Sequence, residues 1–185
     1  LVACHIAVER GEPLDITNPR LKRMFPTPPL VGTHVVSGGE VWTDFQVGPD
    51  GFSRFLLRDI GLRELQTGRM VQRICEIETY RMMALLALPV ARESAQQLAV
   101  MEEELTDLSR AMTGPDKPTD ATLLARLSSL AARAEALSLR TNYRFSAAQA
   151  YYRIVKGRIA DLRETRIEGV PTIGEFMDRR LAPAM

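Results

Sequence analysis

Imidazole, thiol and unbalanced charge are all scarce in this chain, and each scarcity removes a class of function. His5 and His34 are the only histidines, each alternating with apolar neighbours in a strand-like run. Metal sites announce themselves through clustered or helically spaced ligands; no such cluster lies near either residue, so both histidines read as structural and no metal or cofactor is expected. Cys4 and Cys75 are the only cysteines. They make neither a disulfide framework nor a zinc pattern and read as buried, reduced thiols of a cytoplasmic protein. The formal net charge of +1 excludes a dedicated nucleic-acid binder, which needs a concentrated basic surface. No run approaches the ~20 consecutive apolar residues of a membrane span.

Catalytic signatures are missing too. Glu76 and Glu78 could form a carboxylate pair only by converging, yet two residues apart on a helix they point about 200 degrees apart. The segments SGGE and GPDG lack the strand-to-helix placement of a phosphate loop. No serine or cysteine sits in a nucleophile motif, so no catalytic residue is expected.

What the chain does have is a turn, Thr113 to Asp120, flanked by long helical patterns. Reading back from it, Met112, Leu108, Leu105, Met101, Leu98 and Ser94 alternate at spacings of four and three, continuing through Ala87 to Ile77. Reading forward, Leu123, Leu127, Leu130, Ala134 and Leu137 do the same, with polar interruptions at Thr141 and Arg144. These are heptad seams, predicting a coiled-coil hairpin. Folding the arms about residue 116 sets Met101 opposite Ala131, Leu98 opposite Ala134 and Ala87 opposite Phe145. Large faces small, as interdigitated packing requires. Arms of about 35 to 45 residues would span on the order of 50 to 65 Å, a rod acidic near its tip and basic near its base.

Before the rod, residues 1 to 9 are apolar on both strand faces, which predicts a strand covered on both sides and central in its sheet. A proline-rich connection follows, with one helical turn at Pro19–Met24. Then VGTHVVS, EVWTDFQV and FSRFLLR form a meander around glycine turns. Asp59 is the expected N-cap of a helix running from about Ile60 toward Met112, broken by Pro89 near 84–88. The second arm is expected from about Thr119 to Arg166, loosened at Thr141, Asn142 and Gly157. PTIGEF at 171–176 carries a capping box between Thr172 and Glu175.

The fold class is therefore α+β. The sheet region covers 1–58, the helical hairpin 59–168 with its turn at 113–120, and the start of a further helix 171–185. The strongest candidate binding surface is Arg140, Tyr143, Arg144, Tyr151, Arg153 and Lys156, where arginine beside aromatic rings suits phosphate, lipid head groups or an acidic protein. The triplet Glu102–Glu104 is a candidate for divalent cations. The chain begins as a strand without an initiator methionine and ends just after a helix has started, so a fragment is expected.

The stretch PLDITNPRLKRMFPTPPLVGTHVVSGGEVWTDFQVGPDGFSRFLLRD, with GRMVQRICEIETYRMMALLALPVAR and PTIGEFMDRRLAPAM, resembles an uncharacterised bacterial family of predicted membrane-anchored proteins with a domain of unknown function. The resemblance implies further residues before the first strand and hydrophobic spans after the last helix, with this segment on the cytoplasmic face of the inner membrane. It implies no catalytic or ligand residues. By analogy alone, an α/β domain leading through long helices to C-terminal spans is similar to the cytoplasmic part of CorA-type magnesium transporters. The expectation is thus a non-enzymatic module, joined to the membrane through segments outside this chain, whose rod mediates homo-oligomerisation or docks a protein partner. A divalent-cation-sensing regulatory domain is the alternative, and a hydrolase completed by preceding residues a third possibility.

Overall fold

The structure is a computed structural model that describes residues 3–35, 38–113 and 118–181. The element order is β1 (Cys4–Arg10), α1 (Pro19–Met24), β2 (Val31–Val35), β3 (Gly39–Val47), β4 (Ser53–Asp59), α2 (Glu64–Leu85), α3 (Leu88–Thr113), α4 (Asp120–Leu162), β5 (Thr165–Arg166) and α5 (Ile173–Arg180). The fold is α+β. Two compact units are present, one of Leu1–Leu85 with Ala150–Met185 and one of Leu86–Gln149. The sequence-level division at 58/59 falls inside the first unit, because α2 packs on the sheet.

In that first unit the strands lie in the order β1-β4-β3-β2-β5. The meander β2-β3-β4 is antiparallel and β1 joins β4 in parallel. The GPDG turn closes between Gly48 O and Gly51 N at 2.9 Å, and Gly51 takes a φ of +81° that side chains resist. Alternation along the strands sorts two cores. Val41, Phe55 and Leu57 face α2, the end of α4 and α5, meeting Ile74, Ile77, Val155 and Met177. Trp42 and Leu56 face the opposite way, against Leu21 and Phe25 of the α1 segment. Gly32 sits under the Trp42 ring, where a Cβ would come within 2.5 Å of it; glycine is what lets the indole lie flat on the neighbouring strand.

Several boundaries depart from the sequence reading. β1 is an edge strand, not a central one: among the described residues its one partner is β4. Apolarity on both faces reports layers above and below a strand, and β1 has them, with Cys4 and Ile6 in one core and Ala7 in the other. It says nothing about lateral neighbours. α2 starts at Glu64, because the Asp59 carboxylate accepts from Leu62 N at 2.8 Å and holds a turn instead of a helix start. The helix opens where Arg63 N donates to Gln66 Oε1 at 2.9 Å.

The break between α2 and α3 comes at Leu86 and Ala87, just ahead of Pro89. A proline near a helix start loses no hydrogen bond, so the chain restarts there. α4 runs unbroken through Thr141, Asn142 and Gly157 and ends at Leu162, after which Thr165–Arg166 pairs with β2. That two-residue strand has no hydrophobic pattern to announce it. The Thr172 cap is formed in both directions, Glu175 N to Thr172 Oγ1 at 3.2 Å and Thr172 N to Glu175 Oε2 at 3.1 Å.

The second unit is α3 with the first thirty residues of α4, running antiparallel. Arg133 Nη1 donates to Glu104 Oε2 at 2.7 Å and Arg140 Nη2 to Glu93 Oε1 at 3.3 Å; the α4 partner advances as the α3 partner retreats. Leu108, Leu123, Leu137 and Ala148 are buried along the seam. Residues 114–117 of the expected turn lie outside the described residues.

Candidate functional site

The six residues singled out from sequence all lie on α4 and are held in different ways. Arg140 in the second unit is engaged by Glu93 and by Gln97 Oε1, the latter at 2.9 Å. Tyr143 is 83% exposed and Arg144 is exposed. In the first unit, Tyr151 stacks on Tyr80 with ring centroids 6.0 Å apart. Lys156 Nζ lies 4.0 Å from Asp178 Oδ1 and 5.8 Å from the centre of the Tyr152 ring, while Arg153 is exposed. Tyr152, in the same basic and aromatic run, donates to Asp178 Oδ1 at 2.9 Å, and burial with that carboxylate pushes its phenol up to about 12. Three of the six are therefore tied to neighbours and three stand open.

The most distinctive surface of the second unit is a different one. Its two edges are unlike. Along one, a cleft of about 390 Å³ between Val100, Met101, Ala136 and Leu137 is bordered by Gln97, Arg133 and Arg140, the same side chains that cross-link the helices. Along the other, a cleft of about 300 Å³ is lined by Leu98, Met101, Leu105, Leu127, Leu130, Ala131 and Ala134, with Glu102 the one charged neighbour. Leu98 and Ala134 therefore line the same cleft, as the fold-back register requires.

The heptad residues at this level do not close over one another. Leu98 is 45% exposed and Leu105 49%, whereas Leu108, one turn nearer the tip, is buried. Met112, seven residues beyond Leu105 on α3, and Leu124 on α4 are exposed as well. Small partners at Ala131 and Ala134 explain the gap, since a methyl group cannot fill the space between two leucines. The sequence carried this signal in its large-opposite-small pattern, but pattern alone cannot say whether the small residues let the helices approach or leave a groove.

Chemistry-bearing groups elsewhere serve the core. Glu78, judged unable to pair with Glu76, is buried and paired with Arg81: Arg81 Nε and Nη2 donate to its two oxygens at 2.7 and 2.8 Å. Ser53 Oγ adds a third bond at 2.6 Å. The guanidinium lies 5.1 Å from the centre of the Phe45 ring, which a β-bulge and a positive φ of 52° turn inward. Cys4, cross-strand from Ser53, has its thiol pushed up to about 11 by burial first, then by Cys75 and Glu78. Nothing in their spacing relates the two cysteines; only the parallel pairing of β1 with β4 brings Cys4 to the α2 face that carries Cys75.

His5 stacks on Phe52 at 4.2 Å, and His34 Nδ1 lies 3.4 Å from Glu40 Oε1. Glu40, itself buried, also accepts from Trp42 Nε1 and Leu14 N, both at 3.1 Å, so it is committed to the fold. Of the acidic triplet, Glu104 is held by Arg133. Among the described residues no group of three or more potential metal ligands converges, and no helix is long and apolar enough to cross a membrane. No curated protein and no solved structure matches the chain. A family model does match, over residues 1–185: the chain belongs to the family described as protein of unknown function (DUF3422).

Proposed function

We propose that this chain is a non-enzymatic module of a membrane-anchored bacterial protein, lying at the cytoplasmic face, and that its helical hairpin self-associates as a coiled-coil bundle. The observation that carries the reading is the apolar edge of the second unit: Leu98, Leu105 and Leu127 line the open cleft and stand between 40% and 49% exposed, and Met112, seven residues beyond Leu105, is 48% exposed. Burying a leucine fully is worth about 1.5–3 kcal/mol, so covering these half-exposed side chains would give roughly 1 kcal/mol each. A contiguous stripe of this kind marks an interaction surface.

Charge argues for a second copy as the occupant. α3 carries five acidic and two basic side chains, and the α4 segment beside it four basic and two acidic. In a two-fold four-helix arrangement each α3 lies next to the α4 of the other copy, so the acidic helix meets the basic one. Membrane attachment rests on likeness to the family and requires spans outside these residues.

Sedimentation velocity of the chain and of Leu98→Glu/Leu105→Glu tests the association, with Leu124→Gln as a milder variant at a more exposed position. The wild type is expected to be a dimer or larger whose dissociation increases with salt, and both variants to be helical monomers. A wild type that stays monomeric at high concentration defeats the proposal. A magnesium-dependent rise in Tm without association would favour the cation-sensing alternative.

A further inference from the structure

The first unit holds a cluster of arginines, three of which form no ion pair with a described residue. Arg69 and Arg73 lie one turn apart on α2, a like-charge spacing that costs a helix a few tenths of a kcal/mol. Neither side chain forms an ion pair or hydrogen bond with any other described residue. Both line a groove of about 320 Å³ that α2 forms with the end of α4. Arg163, some ninety positions further along the sequence, lines the same groove, as does Asp161. It takes a left-handed φ of 47° as the first residue after α4, and it too is without a counter-ion among the described residues.

The groove continues into a second hollow of about 190 Å³, where Arg69 and Arg73 meet Glu76, Arg158 and Asp161. The two carboxylates are already spent: Glu76 pairs with Arg158 Nε, and Asp161 Oδ2 accepts from Arg158 Nη1 at 3.3 Å. Four guanidiniums against two carboxylates leave two positive charges. Arginine forks match phosphate oxygens in two-bonded geometry.

We propose that Arg69, Arg73 and Arg163 form a binding site for a phosphate group carrying two negative charges, supplied either by a small soluble phosphate compound or by a phosphomonoester lipid head group. The site is independent of the hairpin interface, being built within the other unit. Arg69 and Arg73 sit on a helix anchored by Met70 and Ile74 in the core, so their backbones are fixed before any ligand arrives. The ligand relieves the repulsion between them, which makes its binding energy partly a release of stress already present.

Isothermal titration with inorganic pyrophosphate, at ionic strength matched with sodium chloride, tests the soluble source. Flotation with phosphatidylcholine vesicles containing phosphatidic acid tests the lipid source. Binding in either arm is expected, and Arg69→Gln/Arg73→Gln is expected to weaken it by about 10-fold or more, the equivalent of about 1.4 kcal/mol. Arg163→Asn, which keeps a residue tolerant of the left-handed conformation, should weaken it in the same direction. Arg179→Gln/Arg180→Gln removes the same charge from α5 and should leave binding unchanged. No binding in either arm overturns the proposal, and so does equal loss in the α5 variant, which would mean general charge attraction. Circular dichroism of each variant confirms that it is folded.

Discussion

Glu78 and Arg81 form a two-bonded ion pair one helical turn apart on α2, sealed so well that their side chains are 1% and 8% exposed. The carboxylate takes a third bond from Ser53, and the guanidinium is covered by Phe45. Nearly every polar atom of the pair is satisfied, which is the condition under which a buried ion pair is tolerable.

Breaking it from one side should therefore be costly. Arg81→Met leaves an uncompensated buried carboxylate and is expected to destabilise the protein by about 3–5 kcal/mol, whereas Glu78→Leu/Arg81→Met should lie much closer to wild type. Urea unfolding followed by circular dichroism measures both. A single variant no worse than the double would mean the pair is not buried in solution.

Ser94 presents the opposite case. It is 6% exposed in the α3 seam, and its hydroxyl finds no hydrogen-bond partner among the described residues, whereas Thr141 in α4 donates to Leu137 O at 2.8 Å. An unsatisfied buried hydroxyl costs on the order of 1 kcal/mol or more. Ser94→Ala should raise stability by about 1 kcal/mol, read from the thermal midpoint, while Thr141→Ala should not. Loss of stability in Ser94→Ala would show that the hydroxyl has a partner after all.

Cys4 should be a sluggish nucleophile. With its thiol pushed up to about 11 from an ordinary 9.0, the thiolate fraction near neutral pH falls on the order of 100-fold. Alkylation by iodoacetamide, followed by peptide mass spectrometry, should be correspondingly slower at Cys4 in the folded protein than in urea, and should accelerate as pH rises through 9 and beyond. Equal rates in both states would contradict the half-buried placement beside Cys75 and Glu78.

Much of the architecture was legible because it rests on local chemistry. The Thr172–Glu175 cap, the Pro19–Met24 turn of helix, the glycine hairpins and the interruption ahead of Pro89 each depend on residues within a few positions of one another. The fold-back of α3 on α4 was legible for a related reason: heptad spacing fixes a seam, and side-chain size fixes its register to within a turn. The candidate surface was legible only as composition. Arg140 and Lys156 look alike in sequence, yet each meets a carboxylate from a different element, Glu93 on α3 and Asp178 on α5, which no spacing along α4 could reveal.

Local chemistry in the chain was enough to place the long helices, the three meander strands and the Thr172 cap, and to show that two long helices would share an apolar seam, because propensity, capping and periodicity act over one or two turns. Long-range packing was needed to put β1 at the sheet edge among the described residues, to bring Cys4 to the face of Cys75, to open the seam into a groove at Leu98, and to join Arg163 to Arg69 and Arg73. Those outcomes depend on pairing order and on how far apart packed elements settle, which sums over many long-range contacts and leaves no short-range trace in the order of residues.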